Sequence, residues 1–313
     1  MKFMFVWKEP SLMAHRLSPA ITLTASAAIL GLALSACGSD SLSSPGATKT
    51  APVVSQTADP ALVAKLPAKI KAAGKIVIGT DATYPPNENL AADGKTVEGM
   101  DVDLFDAVAQ KFGVTTEWVP ADFSSIILGV SSGKFDIGIS SFSINADRKK
   151  QANMVSYFTA GTLWVVPKGN PKKVDPDNAC GLNIGVQKGT TQVDDMTARS
   201  KKCTDAGKSA INQIVEAAQV KVNADVVSGK ADAMAADSPV GYFAVKQTGG
   251  AVEALGEPYD AAPYGYVVPK DETDFADAIV DALKALDASG GYKQALTKWG
   301  VESGAINNFA VNP

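Results

Sequence analysis

The sequence has almost no histidine, because His15 is the single one among 313 residues. His15 lies in the N-terminal region that we interpret below as a cleaved leader, so the mature chain would contain none. Without histidine, Ser-His-Asp and Cys-His nucleophilic catalysis are excluded, and zinc lacks its usual nitrogen ligand. An enzyme built on this chain would have to use carboxylates, lysine or tyrosine, and no metal or other cofactor is predicted.

The sequence also lacks an excess of either charge. The chain has 29 Lys and Arg against 33 Asp and Glu, so it lacks the excess of basic residues that is typical of nucleic-acid-binding proteins. No nucleic-acid partner is therefore expected. The apolar fraction of 46% is ordinary for a globular chain, and the length allows a large core and two domains.

Long apolar runs are missing outside the N-terminal region. There, Lys8, His15 and Arg16 precede an uncharged stretch over 17–39, in which small residues come before Cys37. A positively charged N-terminal region, a short apolar segment and small residues before a cleavage site are typical of a secretory signal peptide. A retained membrane anchor is the alternative, since spanning needs about 20 apolar residues. Ala, Ser and Thr dilute this run, which favours the secretory signal.

The end of that stretch, Leu34-Ser35-Ala36-Cys37, resembles the lipobox of bacterial lipoproteins. The resemblance implies a signal peptide over 1–36 and diacylation of Cys37. Acyl chains on this cysteine would anchor the exported protein to the outer face of the cell membrane, or within the periplasm. Residues 37–58 are rich in Ser, Thr, Ala and Pro, which predicts a flexible tether between the lipid and the folded domain.

Two cysteines remain in the mature chain, Cys180 and Cys203. In an exported protein an even pair of cysteines indicates a disulfide. The loop closed by this bond would have about 24 residues, which corresponds to roughly 3 kcal/mol of stabilisation if the bond restricts the unfolded chain.

The pattern of apolar residues alternates between strand and helix from residue 75 onward. A buried strand over 75–79 is followed by an amphipathic helix over 100–112, and a strand over 114–119 is followed by a helix over 123–130. Such alternation indicates βαβ units and mainly parallel sheets, hence an α/β fold.

A five-residue tract occurs twice, as Ser-Gly-Lys-Phe-Asp at 132–136 and as Ser-Gly-Lys-Ala-Asp at 228–232. At both places we predict a helix that ends at glycine, a short buried strand, and polar residues after the strand. Ligands of open α/β sheets bind at the carboxyl ends of the strands. The first copy leads to hydroxyls and Arg148, whereas the second leads to the carboxylate of Asp237. Two similar lobes with opposite charges suit a zwitterion held between them.

A second repeated string is Val-Val-Pro-Lys, which occurs at 165–168 and again at 267–270. We interpret both copies as paired strands, antiparallel in chain sense, that cross between two lobes, although chance recurrence of so short a string is the alternative. This interpretation divides the chain into lobe 1 (59–165 and 268–313) and lobe 2 (166–267), with the hinge strands at the ends of lobe 2.

Motifs spread over residues 75–300 resemble those of the bacterial extracellular solute-binding proteins of family 3, the receptors of polar amino-acid ABC transporters. The motifs are IGTDATYPPNE, EGMDVDLFDAVAQKFG, SSGKFDIGISSFSINADRKKQ, VVPKGN, IGVQKGTTQ, SGKADAMAADSP and YGYVVPK. The resemblance implies a two-lobed periplasmic-binding-protein-like fold, in which each lobe is a mainly parallel sheet flanked by helices and two crossover strands join the lobes. It also implies a monomeric, non-enzymatic receptor that binds a free polar amino acid by hinge closure and delivers it to an ABC transporter permease.

The resemblance assigns roles to residues near the first tract. Arg148 is at the position of the arginine that binds the ligand carboxylate, and a guanidinium can make two parallel hydrogen bonds to that group. Ser141 and Ser143 match positions that hydrogen-bond the ligand backbone. A solvated helix residue is the alternative for Arg148, since two lysines follow it, and ordinary turn residues are the alternative for the serines.

In the second lobe, Thr190 and Thr191 open a helix whose free amides favour anions, so the resemblance implies a second clamp for the ligand carboxylate. An ordinary helix with a threonine cap is the alternative. Asp237 matches the aspartate that pairs with the α-ammonium group of the ligand. Its alternative role is a helix cap, and one oxygen for each role would allow both.

The resemblance also indicates which residues contact the ligand side chain. Tyr84 and Phe123 are at positions of flat rings, and Asp81 can meet a cationic or amide group. Asn87 departs from the family, which usually has an aromatic residue after Pro-Pro, and we expect it to make the pocket more polar. No arginine of lobe 1 is placed to receive a second carboxylate, so a basic or neutral polar amino acid is favoured.

Two other functions share this fold. Some relatives are cyclohexadienyl dehydratases, which use a carboxylic acid for proton transfer, although Asp237 together with Arg148 favours binding of a free amino acid. A receptor for a sensor or chemotaxis partner would have the same binding chemistry as a transport receptor.

Overall fold

The computed structural model describes residues 56–313. The predicted signal peptide, Cys37 and most of the predicted tether lie outside the described residues. Within residues 56–313, no helix has both the length and the apolar character needed to cross a membrane.

Helices and strands alternate along the described chain, as the apolar pattern predicts. The strands are β1 (Lys75–Thr80), β2 (Thr83–Tyr84), β3 (Glu88–Leu90), β4 (Val97–Glu98), β5 (Thr115–Pro120), β6 (Ile137–Gly138), β7 (Asn153–Pro167), β8 (Asn183–Gln187), β9 (Asn212–Glu216), β10 (Ala233–Asp237) and β11 (Val252–Val268). The helices are α1 (Pro60–Lys65), α2 (Ala68–Ala73), α3 (Met100–Lys111), α4 (Phe123–Ser131), α5 (Ala146–Gln151), α6 (Thr191–Asp205), α7 (Gln219–Val227), α8 (Ser238–Gln247), α9 (Thr273–Ala288) and α10 (Gly291–Trp299). Short 3₁₀ turns lie at Pro176–Asn178 and Glu302–Gly304.

One eight-stranded sheet runs through the described residues in the order β5-β1-β6-β11-β7-β10-β8-β9. At one end β5, β1 and β6 are parallel, and at the other end β10, β8 and β9 are parallel. Between these two groups lie β7 and β11, which are antiparallel to each other. We call the part built on β5, β1 and β6 the first lobe and the part built on β10, β8 and β9 the second lobe. This is the predicted α/β, two-lobed periplasmic-binding-protein fold with two crossover strands.

The crossover strands are longer than the Val-Val-Pro-Lys strings that indicate them. β7 and β11 pair along most of their length, with Ala160 opposite Ala262 near the middle. The predicted pairing of the two strings with each other is wrong, because Val165 lies opposite Ala254 and Val267 lies opposite Met154. They mark opposite ends of one ladder, and the predicted lobe limits at 165 and 268 stay a prediction.

The repeated five-residue tract forms the same structure in both lobes. Ser132 and Ser228 end helices α4 and α7, and the glycines that follow them have φ of +75° and +78°, a conformation that glycine adopts without strain. The aspartate at the end of each tract accepts a hydrogen bond from a backbone amide near the start of a neighbouring strand. Asp136 Oδ2 accepts from the Val77 amide of β1 at 2.8 Å, and Asp232 Oδ2 accepts from the Asn183 amide of β8 at 2.8 Å. The tract therefore fixes one helix end against one parallel strand in each lobe.

A small antiparallel sheet occupies the segment after β1, for which the two prolines predict a rigid loop. Its order is β2-β3-β4, and Thr83 lies opposite Asn89 in the first pair. Pro85 and Pro86 form the turn between β2 and β3, where neither has to donate a ladder hydrogen bond. The loop is thus a tight hairpin that carries polar residues toward the sheet.

The larger core fills the first lobe. The predicted apolar face of α3 is buried, with Phe105 and Val108 fully inaccessible, and it packs with α9 and α10 against the sheet. A second core lies under α6 in the second lobe, where Trp164 and Met196 are buried. Cys180 and Cys203 beside that core are joined by a disulfide, with Cα atoms 5.5 Å apart.

Reduction of the disulfide is expected to lower the free energy of unfolding by about 3 kcal/mol, since it restores the freedom of a loop of 23 residues in the unfolded chain. Urea unfolding with and without reductant measures the change. The double variant Cys180→Ser/Cys203→Ser is the control, and reductant should leave its midpoint unchanged. Equal midpoints for the oxidised and reduced wild type would contradict the prediction.

Candidate functional site

The nine residues predicted to bind ligand all line one cavity. They are Asp81, Tyr84, Phe123, Ser141, Ser143, Arg148, Thr190, Thr191 and Asp237. Asp81 follows β1, Ser141 follows β6, and Asp237 ends β10. The cavity therefore lies at the carboxyl ends of strands from both lobes, where open α/β sheets place their ligands.

Arg148 lies in the first turn of α5, which is fixed by the Asn145 side chain accepting from the Arg148 amide at 2.9 Å. The side chain is 8% exposed, so it is not a solvated helix residue, in contrast to Lys150 on the same helix. The guanidinium donates to the carbonyl oxygens of Ser143 at 2.8 Å and Gly189 at 3.1 Å. Within residues 56–313 it forms no ion pair with a carboxylate.

Two stacked aromatic rings lie beside the Arg148 guanidinium. Its central carbon lies 5.5 Å from the ring centre of Phe123 and 5.2 Å from that of Phe142, and the two rings are stacked with centres 4.5 Å apart. Cation–π attraction of this kind compensates part of the cost of burying the charge. Burial lowers the pKa of Arg148, while Asp237 and Asp194 nearby raise it, and the group keeps its charge at neutral pH.

Asp237 supplies the opposite charge. Its Oδ2 accepts from the Tyr264 hydroxyl at 2.7 Å and its Oδ1 accepts from Gln192 Nε2 at 2.8 Å, while its backbone amide donates to the Tyr84 hydroxyl at 3.3 Å. Although Asp237 precedes α8, its side chain makes no capping bond, so the predicted second role as a helix cap is wrong. Burial raises the pKa of Asp237, and the hydrogen bonds from Tyr264 and Gln192 oppose that shift.

The start of α6 also faces the cavity. Thr190 occupies the capping position, but its hydroxyl donates to the Gln187 carbonyl at 2.7 Å and caps nothing. The predicted threonine cap is therefore not formed. Amides at the start of this 15-residue helix are left without a side-chain acceptor, which suits an anionic group of a ligand.

Asp81 lines the cavity and connects the two lobes through its hydrogen bonds. Its Oδ2 accepts from Gln187 Nε2 at 2.7 Å and from the Phe123 amide at 3.2 Å, and its Oδ1 accepts from the Thr83 hydroxyl at 2.7 Å. Burial raises the pKa of Asp81, and these hydrogen bonds lower it in part. Among the described residues, no lysine or arginine is ion-paired with Asp81.

The first-lobe serines include one strained backbone position. Ser141 has φ of +54°, which non-glycine residues rarely adopt outside functional sites. Ser143 contributes its carbonyl to Arg148 and forms a β-bridge with Tyr264, which in turn reaches Asp237.

Sequence reasoning missed four residues of the site. Ser140, Gln187 and Gln192 also line the cavity, and Phe142 stacks behind Arg148. A polar residue at the end of a buried strand is the signal that leads to Asp237, and the same signal would have found Gln187 at the end of β8. Asn87, in contrast, does not line the cavity and does not make it more polar. It is fully buried, and its Nδ2 donates to the Ser141 hydroxyl at 2.9 Å.

The sequence model of the bacterial extracellular solute-binding proteins, family 3, matches residues 76–302 of this chain. The chain belongs to this family. It is 33% identical over 255 residues to the arginine-binding protein ArgT of Corynebacterium glutamicum, an alignment that covers 81% of this chain and 83% of that protein.

Solved structures give the same result for this solute-binding protein. An ancestral arginine-binding protein bound to arginine is 33% identical, with a TM-score of 0.67 over 72% of this chain and 98% of that one. An ancestral amino-acid-binding protein described as a precursor of cyclohexadienyl dehydratase is 29% identical, with a TM-score of 0.66 over 74% of this chain and 97% of that one. These neighbours are named as binding proteins, and this chain is likewise a solute-binding protein rather than an enzyme.

Replacement of Arg148 by alanine is expected to weaken binding of a free amino acid at least about tenfold, or 1.4 kcal/mol, because the ligand carboxylate loses a buried guanidinium. Isothermal titration calorimetry measures the affinity. Lys150→Ala is the matched control, since Lys150 is exposed on the same helix, and its affinity should equal that of the wild type. Near-normal affinity of Arg148→Ala would contradict the clamp.

Proposed function

We propose that this protein is an extracytoplasmic receptor that binds a free amino acid between its two lobes and delivers it to an ABC transporter permease. One observation carries the proposal. A buried guanidinium, Arg148, and a buried carboxylate, Asp237, face the same small cavity and do not pair with each other. Buried charges are costly unless they are paired, and an α-amino acid offers both complementary charges on one carbon atom.

The geometry suggests one orientation of the ligand. Its carboxylate would meet the Arg148 guanidinium and the free amides at the start of α6, and its α-ammonium group would meet Asp237. Ser141 and Ser143 would hydrogen-bond the ligand backbone, as the resemblance implies. The ligand side chain would then extend between the rings of Tyr84 and Phe123 toward Asp81, which lines the same cavity.

A basic side chain fits the far end of this cavity best. Asp81 is a buried acid without a cationic partner among the described residues, and its existing donors are neutral groups. A guanidinium or ammonium group would neutralise it. We therefore propose a basic amino acid as the ligand, with L-arginine as the first candidate, since arginine is the ligand named for the similar proteins. A neutral polar amino acid is the second candidate.

Binding would involve closure of the lobes about β7 and β11. Several direct hydrogen bonds already connect the lobes around the cavity, among them Gln187 to Asp81 at 2.7 Å, Arg148 to the Gly189 carbonyl at 3.1 Å and the Gln219 amide to Thr83 at 3.1 Å. Closure excludes water from the site, which strengthens ion pairs only when both ligand charges have partners.

The remaining parts of the proposal come from the sequence. The lipobox favours a lipid on Cys37 after removal of residues 1–36, and the tether up to residue 58 would allow the folded part to move above the membrane. We propose that the receptor acts as a monomer, with the limits of lobe 1 at 59–165 and 268–313 and of lobe 2 at 166–267.

A panel of amino acids should identify the ligand by thermal unfolding. A ligand at about 100 times its dissociation constant adds about 2.7 kcal/mol to the free energy of unfolding, so L-arginine is expected to raise the melting temperature by a few degrees. Agmatine, which is arginine without its carboxylate, is the matched control and should have little effect. The proposal fails if no amino acid of the panel shifts the transition, or if the protein converts prephenate or arogenate to product.

The affinity is expected to fall as the pH is lowered. The ammonium group needs Asp237 in its charged form, and burial raises the pKa of this carboxyl above 3.8. Protonation of Asp237 therefore begins at a higher pH than for an exposed carboxyl, and each further unit of pH costs up to about tenfold in affinity. Calorimetry between about pH 4 and pH 7 measures the slope. Asp237→Asn should bind more weakly at neutral pH and show a shallower slope, whereas equal slopes would contradict the role of Asp237.

A further inference from the structure

Two acidic residues lie behind the wall of the cavity and do not line it. Glu88 on β3 and Asp101 at the start of α3 are both fully inaccessible to solvent. Glu88 contacts Ser140 and Ser141, and Asp101 contacts Ser141. Their carboxyl groups meet at the Ser141 hydroxyl, which lies 3.4 Å from Glu88 Oε2 and 3.3 Å from Asp101 Oδ2, and Asp101 Oδ1 has no other hydrogen-bond partner among the described residues.

Asp101 is the acceptor at the centre of this cluster. Its Oδ2 lies 2.8 Å from the Tyr157 hydroxyl, 3.2 Å from the Ser141 amide and 3.3 Å from the Ser141 hydroxyl. Three donors directed at one oxygen are typical of an ionised carboxylate. These bonds hold Ser141 in its strained backbone conformation.

Glu88 touches both serines of the cavity wall. Its Oε1 accepts from the Ser140 hydroxyl at 2.8 Å, and its Oε2 lies 3.4 Å from the Ser141 hydroxyl. The Ser140 hydroxyl in turn accepts from the Asp81 amide at 3.0 Å, while Asn87 donates to the Ser141 hydroxyl at 2.9 Å. The pair is therefore linked to the backbone of Asp81 as well as to Ser141.

The surroundings of the pair contain no positive charge in the described part of the chain. The titratable groups that face it are Asp81 after β1, Tyr84 on β2, Tyr157 on β7 and Tyr266 on β11, all of them acidic. Burial raises the pKa of Asp101 to about 6 and that of Glu88 well above its ordinary value, to which the Asp101 charge contributes. Two adjacent buried carboxyls without a cation cannot both be ionised at neutral pH.

We propose that Glu88 keeps its proton at neutral pH and donates it to the ionised Asp101, and that this hydrogen-bonded pair positions Ser140 and Ser141 for the ligand. The consequence for the ligand rests on the proposed function, whereas the retained proton does not. Loss of the proton would place two negative charges against each other beneath Ser141, and the wall of the cavity would have to move to admit water.

The retained proton is tested by unfolding wild type and E88Q over a range of pH without ligand. Folded wild type holds one proton that the unfolded chain releases, so its unfolding equilibrium constant should rise about tenfold per pH unit relative to that of E88Q between about pH 6 and pH 8. The amide of E88Q can still donate to Asp101 and accept from Ser140 without a titrating proton. E98Q removes the same charge from an exposed residue of the neighbouring strand and should follow the wild type.

Two results would overturn the retained proton. Parallel pH profiles of wild type and E88Q would show that Glu88 is ionised in the folded state. A melting temperature that depends on sodium or calcium at constant ionic strength, and does so less in E88Q, would show that a cation rather than a proton neutralises the pair.

The positioning role is tested by calorimetry with L-arginine at neutral pH. E88Q should bind within about twofold of the wild type, because it preserves the hydrogen bonds of the protonated form. Asp101→Asn should bind about tenfold more weakly, since a neutral acceptor replaces the charged one that holds Ser141. Equal affinities of the two variants would refute the positioning role. If the wild type itself fails to bind L-arginine, the proposed ligand is wrong. The pH profiles of unfolding still determine whether Glu88 keeps its proton in the folded state.

Discussion

The described structure depends on keeping two opposite charges buried close to one cavity without letting them neutralise each other. Arg148 is held by backbone carbonyls and two aromatic rings, and Asp237 is held by neutral hydrogen-bond donors. Neither arrangement supplies an opposite charge, so both charges remain uncompensated. Because burial of an unpaired charge is unfavourable, a small molecule that carries both charges at the right separation would gain binding free energy by pairing with Arg148 and Asp237.

Much of the fold was predictable because local signals and tertiary demands agree. The limits of α3 and α4 match the predicted helices to within about two residues. The crossover strands were found only at their ends, since β7 is buried on both faces and shows no alternation that would mark its start. The strands β2 to β4 are two or three residues long, too short to leave a periodic pattern.

The site divides in the same way. Arg148 follows a buried strand and Asp237 ends one, so the rule for strand ends located both, together with the hydroxyls after β6. The resemblance assigned the roles of the predicted residues. Asn87 was misplaced because its surroundings are made by Ser141 and Asp101, which are distant in sequence. The same distance hid the Glu88–Asp101 pair, in which each carboxyl comes from a different element and neither reaches the cavity. Interactions of this type form only when the chain is folded, and no single segment of the sequence carries a pattern that indicates them.

The ladder between β7 and β11 has a further consequence for the motion of the molecule. Both lobes are attached to the same pair of hydrogen-bonded strands, so sliding one lobe past the other would shear many backbone hydrogen bonds at once. Bending the two strands together near Ala160 and Ala262 breaks few of them, and the register shifts around Tyr259 lie close to that point. The ladder therefore favours bending of one lobe toward or away from the other over sliding of one lobe past the other.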